Sequence, residues 1–182
     1  MGMRASDTAQ VFLQDVPVPQ ENLMGAEGEG FKIAMLTLDS SRITIAAQAV
    51  GFAQAALEAA IQYSKQRKSF GVPISDHQGI QFKLAEMATR VEASRLMVRN
   101  AAMLRDAGLP FIKEACMAKF YASASATYCT NEAVQVHGGI GYFKPTLVER
   151  LNRAAKVTEI YEGTSEVQRL LIARQLMSQY PL

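Results

Sequence analysis

Glu162 stands directly before Gly163 and the polar pair Thr164-Ser165, which reads as the start of a helix. Ile160 and Tyr161 precede it, so a carboxylate is flanked by apolar and aromatic side chains on one side and a helix N-terminus on the other. A group in that setting can take a proton from a substrate; it can equally be an ordinary capping acid. Two glycine turns are the next candidates. Arg67-Lys68-Ser69-Phe70-Gly71-Val72-Pro73 places a guanidinium beside a tight turn, with Gln78 and Gln81-Phe82 following. Gln135-Val136-His137-Gly138-Gly139 closes an alanine-rich stretch with two adjacent glycines. A planar guanidinium suits a phosphate or pyrophosphate, and a glycine pair lets backbone approach a ligand closely. Taken singly, the arginine also reads as a solvated charge and the glycines as a helix C-cap. Asp39 and Arg42 in Leu38-Asp39-Ser40-Ser41-Arg42 complete the set, with Asp39 open to reading as a paired structural acid.

Metal chemistry has little to build on. His77 and His137 have no ligand partner at i+3 or i+4, and no metal is expected. Cys116 and Cys129 fall on one predicted helix, which separates them by about 20 Å and excludes a disulfide between them. They read as buried free thiols, in keeping with a reducing compartment. A formal charge of +2 and no dense Lys/Arg run give no footing for nucleic acid. No signal peptide is apparent, and no apolar run is expected to be long enough to cross a membrane. The Met1-Gly2 start with Ser6 fits a myristoylation pattern, but the segment reads better as the inside of a domain.

The elements that must position these residues are mostly helices. Hydrophobic residues make up 49% of the 182 and charged residues 20%, ordinary for a globular core of this size. Residues 1–27 stand apart: Val11-Phe12-Leu13 is β-like, prolines 17 and 19 follow, and Gly25, Gly28 and Gly30 form a loop. One strand without a partner cannot make a sheet, so this segment reads as the remnant of a β domain. From residue 28 to 182 the pattern is helical. A first helix from Phe31 to about Gln66 is apolar on most faces and expected to be buried nearly all round. A second, with Asp76 as N-cap and Ile80, Leu84, Met87 and Val91 at helical spacing, ends at Gly108 and Pro110. A third runs from about Phe111 to Val136. A short helix near 146–156 leads into 158–161, expected to be an extended connector. The last helix starts at Thr164 or Ser165, where Ser165-x-x-Gln168 matches a capping box, and ends near Gln179. The predicted class is all-α, an up-and-down bundle of three long helices with shorter C-terminal ones.

The run Ile160-Tyr161-Glu162-Gly163-Thr164-Ser165-Glu166-Val167-Gln168-Arg169 is similar to the signature of short- and medium-chain acyl-CoA dehydrogenases. The resemblance implies that Glu162 removes the α-proton of an acyl-CoA thioester while the β-hydrogen leaves as hydride to N5 of FAD. The backbone N–H of that glutamate and a flavin ribityl hydroxyl would hold the thioester oxygen, with Gly163 also at the substrate. The Arg67–Pro73 turn with Gln78 resembles the family's flavin-contacting turn, and Gln135-x-x-Gly138-Gly139 resembles its flavin loop. Arg67, Phe70, Gln78, Gln135, Gly138 and Gly139 would then reach a neighbouring subunit's flavin, and Thr164, Ser165 and Glu166 the subunit's own. Asp39 and Arg42 resemble the Asp-x-Gly-Arg segment that lines the CoA and acyl channel. Ser41 departs from that glycine, and it also occupies the position where isovaleryl-type relatives keep their base. Arg153-Ala154-Ala155 departs from the family's Arg-Asp-Ala before the connector.

By the same resemblance, the chain would run from the last strand of a middle β domain through the C-terminal helical domain, and alone would be inactive and colourless. Acyl-CoA, an electron-transferring flavoprotein and copies of itself, as a dimer of dimers, are the implied partners, with no nucleic acid and no membrane. The implied location is the bacterial cytoplasm or the mitochondrial matrix. Two other functions stay open on the sequence: a non-catalytic helical oligomerisation module, and an acyl-CoA oxidase of the same fold.

Overall fold

The computed structural model describes residues 1–180. Its frame is three long helices, α1 (Gly30–Gln66), α2 (Gln78–Asp106) and α3 (Ile112–His137). A single turn α4 (Gly139–Tyr142), then α5 (Leu147–Ala155) and α6 (Ser165–Gln179), follow and pack mainly on α3. The all-α bundle is therefore as expected.

Helix α1 meets α3 along a seam of small side chains. Ala46, Ala49, Ala53, Ala56 and Ala60 of α1 are fully buried, as are Ala115, Ala118, Ala122, Ala126 and Ala133 of α3. Spacings of three and four in α1, and of three, four and seven in α3, keep each set on one stripe. Alanine lets the two backbones approach closely, which also limits the room for any long side chain placed there. Helix α2 closes the third side with Met87 and Val91. Cys116 and Cys129 are both free and buried. Burial pushes the Cys129 thiol up to about 12, which makes it a poor nucleophile at neutral pH.

Helix ends show where local chemistry is legible. Helix α2 stops at Gly108 (φ +67°), with Leu109 N–H donating to Leu104 O at 2.9 Å and Gly108 N–H to Arg105 O at 3.0 Å. That is the paired closure a left-handed glycine allows. Four expectations need correction. Val11-Phe12-Leu13 forms no strand and lies in exposed irregular chain, with no strand among the described residues pairing with it. The N-cap of α2 is His77, not Asp76, which sits in a 3-10 turn (Ile74–Asp76). The stretch before Glu162 is not extended but a 3-10 turn, Lys156–Glu159. Helix α1 is not buried all round, for Phe31 and Leu36 in its first turns are 77% and 59% exposed.

By length and apolarity alone, helix α1 is also able to cross a membrane, contrary to expectation. Its alanines explain the discrepancy: they raise mean hydropathy while serving as the packing seam of a bundle core. One further element has no clear signature in the sequence. Lys68–Ser69 and Val72–Pro73 pair as a two-residue antiparallel hairpin between α1 and α2, with Ile74 N–H closing onto Arg67 O at 2.8 Å.

Candidate active site

Two consecutive left-handed residues, Glu162 (φ +56°) and Gly163 (φ +90°), turn the chain sharply between the 3-10 turn and α6. The conformation is costly for a glutamate, of the order of 1–3 kcal/mol, and persists only where surrounding contacts hold it. Those contacts are visible. The Ser41 hydroxyl on α1 donates to Glu162 Oε2. Gln168 Nε2 donates to Gly163 O at 2.9 Å and reaches Glu162 O at 3.3 Å. Lys119 Nζ on α3 donates to Gly163 O at 2.6 Å. Tyr161 hydroxyl donates to Gln48 Oε1 on α1, tying the preceding residue down as well.

Glu162 opens onto a hollow of about 820 Å³ between the first turns of α1 and the N-terminal arm. Val18, Leu23 and Met24 of the arm face Ile33, Ala34 and Leu38 of α1 across it, and Ser41 and Glu162 stand on its wall. A mostly apolar hollow with one half-buried carboxylate held by a hydroxyl can receive an aliphatic chain and present a base to it. Asp39 and Arg42 do not line it. Arg42 is buried, pairs with Asp39 Oδ1 at 2.5 Å and lies 3.8 Å from Cys116 Sγ, inside the α1–α3 interface.

Helix α6 begins one residue earlier than a Ser165 cap would require. Thr164 is the N-cap, accepting from Val167 N–H at 3.4 Å, and Ser165 is the first helical residue. Gln168 does not reach back to the cap as a capping box would have it; its amide turns inward to the Glu162–Gly163 carbonyls. Glu166 is exposed, and backbone and Thr164 hydrogen bonds hold its carboxyl below the usual range.

A second hollow, of about 420 Å³, lies at the far end of α1 and α3. Arg67, Gly138 and Gly139 line it together with Tyr63 and His137, whose rings stack at 4.3 Å. Gly138 holds φ +61° and ψ −143°, backbone open only to glycine, and a Cβ there would meet nothing within 4 Å. The open space, the bare backbone and the guanidinium are a donor set that fits a pyrophosphate. Phe70 (φ +51°) is 98% exposed, and Gln78 and Gln135 are exposed and do not line this hollow. No group of three or more potential metal ligands exists among the described residues.

Lys119 belongs to no motif in the sequence, yet it is fully buried. Burial, set against nearby Glu159, Glu162 and Glu166, pushes its ammonium down to about 8. The folded state therefore disfavours the charged form, and that penalty is complete below pH 8. Between about 8 and 10.5 the unfolded chain holds the proton more tightly, so stability contributed through Lys119 rises with pH. The unfolding free energy of the wild-type chain relative to Lys119→Met is expected to climb by up to roughly 3 kcal/mol across that window. Urea denaturation at stepped pH checks it, and a flat difference would rule it out.

Comparison with known proteins gives a consistent picture. The family described as "Acyl-CoA dehydrogenase, C-terminal domain" matches residues 28–177. A probable acyl-CoA dehydrogenase of Bacillus subtilis is 56% identical over 97% of this chain and 47% of its own length. The mitochondrial short-chain specific acyl-CoA dehydrogenase of Bos taurus is 52% identical over 99% of this chain and 44% of its own. Butyryl-CoA dehydrogenase from Megasphaera elsdenii superposes with a TM-score of 0.88 at 52% identity, covering 90% of this chain and 43% of that one. The chain thus spans somewhat under half the length of these relatives.

Proposed function

The chain belongs to the acyl-CoA dehydrogenase family, and from that premise we propose that it carries the catalytic base for flavin-dependent oxidation of a short-chain acyl-CoA to its trans-2-enoyl-CoA. The observation that carries this reading is Glu162 itself: a carboxylate fixed by the Ser41 hydroxyl on the wall of an apolar hollow. Glu162 takes the α-proton from the thioester. Its own backbone N–H is a donor for the thioester oxygen, where negative charge grows as the proton leaves. The N-terminal arm and the first turns of α1 give the acyl chain an apolar wall. Arg67, Gly138 and Gly139 would hold the FAD pyrophosphate region, with Phe70, Gln78 and Gln135 around it; Thr164, Ser165 and Glu166 would meet a second flavin at the N-terminus of α6. When bound, FAD supplies the acceptor for the β-hydrogen, which leaves carbon with its electron pair. That one flavin-directed cluster lines the hollow at the far end of α1 and α3 while the other stands at the N-terminus of α6 supports the use of two copies of the chain, and so a homo-oligomer. An electron-transferring flavoprotein is the fitting reoxidant. The names of the relatives favour short chains.

The test uses a flavoprotein of the relatives' full length that contains this chain. Anaerobic butyryl-CoA is expected to bleach its flavin absorbance and to yield crotonyl-CoA. An unchanged spectrum under excess butyryl-CoA would overturn the proposal.

A further inference from the structure

Charged side chains buried to the last atom are uncommon unless paired or put to use. Lys119 is such a side chain, and its one hydrogen bond among the described residues runs not to a carboxylate but to the carbonyl of Gly163 at 2.6 Å. Gln168, also fully buried, approaches the same carbonyl from α6 at 2.9 Å. The two donors come from different helices and converge on the residue after Glu162. A Cβ on Gly163 would stand 2.7 Å from Gln168 Nε2, so the glycine is what lets the amide in.

We propose that Lys119 is a positioning residue for Glu162, its buried amine and the Gln168 amide forming a latch that holds the left-handed Glu162–Gly163 pair. The inference rests on the reading of Glu162 as the base, and deepens it. Without the latch, the connector relaxes toward ordinary backbone angles and the carboxylate leaves the Ser41 hydroxyl. A structural lysine would instead be placed to stabilise the fold, and Lys119 is poorly placed for that: its burial works against its charge. Glu159, Glu162, Glu166 and Arg42 all act on that charge and Cys116 faces it from the preceding turn of α3, so a methionine of similar length relieves the site rather than opening it.

The experiment compares wild type, Lys119→Met, Lys119→Arg and Glu162→Gln in the flavin-loaded full-length protein. It reads kcat, KM and amide hydrogen exchange across residues 160–167. Lys119→Met is expected to keep its melting temperature at neutral pH and to lose roughly 10–100-fold in kcat, the effect of a displacement near 1 Å. KM should stay within about threefold, and exchange of the connector amides should quicken about tenfold, one net hydrogen bond. Lys119→Arg, which restores a donor, is expected to recover part of kcat. Wild-type exchange in Lys119→Met overturns the latch whatever kcat does, and so does wild-type kcat. Should Glu162→Gln turn over normally, the base assignment falls while the exchange measurement still judges the latch. If Lys119→Met does not fold, Gln168→Leu attacks the same carbonyl from the other side and gives the same readouts.

Discussion

Glu162→Gln is expected to slow flavin reduction by acyl-CoA by about 10⁴-fold, the upper range for a lost general base. The substitution is close to isosteric. A glutamine carbonyl can still accept from Ser41, and the carbonyls of residues 162 and 163 keep Gln168 and Lys119. The turn should survive, and with it the hollow. What disappears is the ability to accept a proton, an interaction required only as the reaction proceeds. Acyl-CoA affinity should therefore stay within about tenfold, or 1.4 kcal/mol. Stopped-flow reduction beside a binding titration separates the two quantities. Near-normal reduction in the variant would remove Glu162 from the chemistry, whatever its place in the hollow.

How much of this is legible in the sequence depends on the kind of signal. Long helices are, because spacing such as Ile80, Leu84, Met87 and Val91 survives any error at the ends. Helix stops set by glycine are legible too, as at Gly108, since left-handed backbone has few alternatives. Caps are not. Asp76 and Ser165 both match what an N-cap should be, yet His77 and Thr164 occupy the positions, because the preceding 3-10 turn and the left-handed pair fix the entry of the chain first. The Ser165-x-x-Gln168 pattern misleads for a tertiary reason: the Gln168 amide serves carbonyls upstream instead of the cap.

The partners of Glu162 are harder still. Ser41 stands out in the sequence as a departure from a family glycine, but its role as the hydroxyl that meets Glu162 needs the approach of α1 to the connector. Lys119 belongs to no motif, although a signal exists. It lies beside a helical stripe of Ala115, Ala122 and Ala126, each fully buried. A lysine in register with an alanine seam has to be either solvated by a break in that seam or given a buried acceptor. The sequence can raise that question but cannot name Gly163, 44 residues away, as the answer.

Asp39→Leu is expected to destabilise the fold by about 3 kcal/mol, the low end for breaking a buried ion pair. For a chain of this length that lowers the melting temperature by roughly 6–12 °C. The Arg42 side chain is 7% exposed and that of Asp39 20%, so water reaches the acid more readily than the base. Arg42 Nε has no hydrogen-bond partner among the described residues, and the cation leans on one carboxylate for its charge. Removing Asp39 leaves the guanidinium stranded between α1 and α3; removing Arg42 leaves an acid that can still hydrate. Arg42→Met should therefore cost less than Asp39→Leu, and the double variant should return to within about 1 kcal/mol of wild type. That cycle also separates two roles for these residues. If heat and urea denaturation of Asp39→Leu show no loss, the pair does not hold the bundle together. If the double variant regains stability but not acyl-CoA affinity, the same two side chains act on ligand as well as on the bundle, and their effect on binding is measured free of their effect on folding.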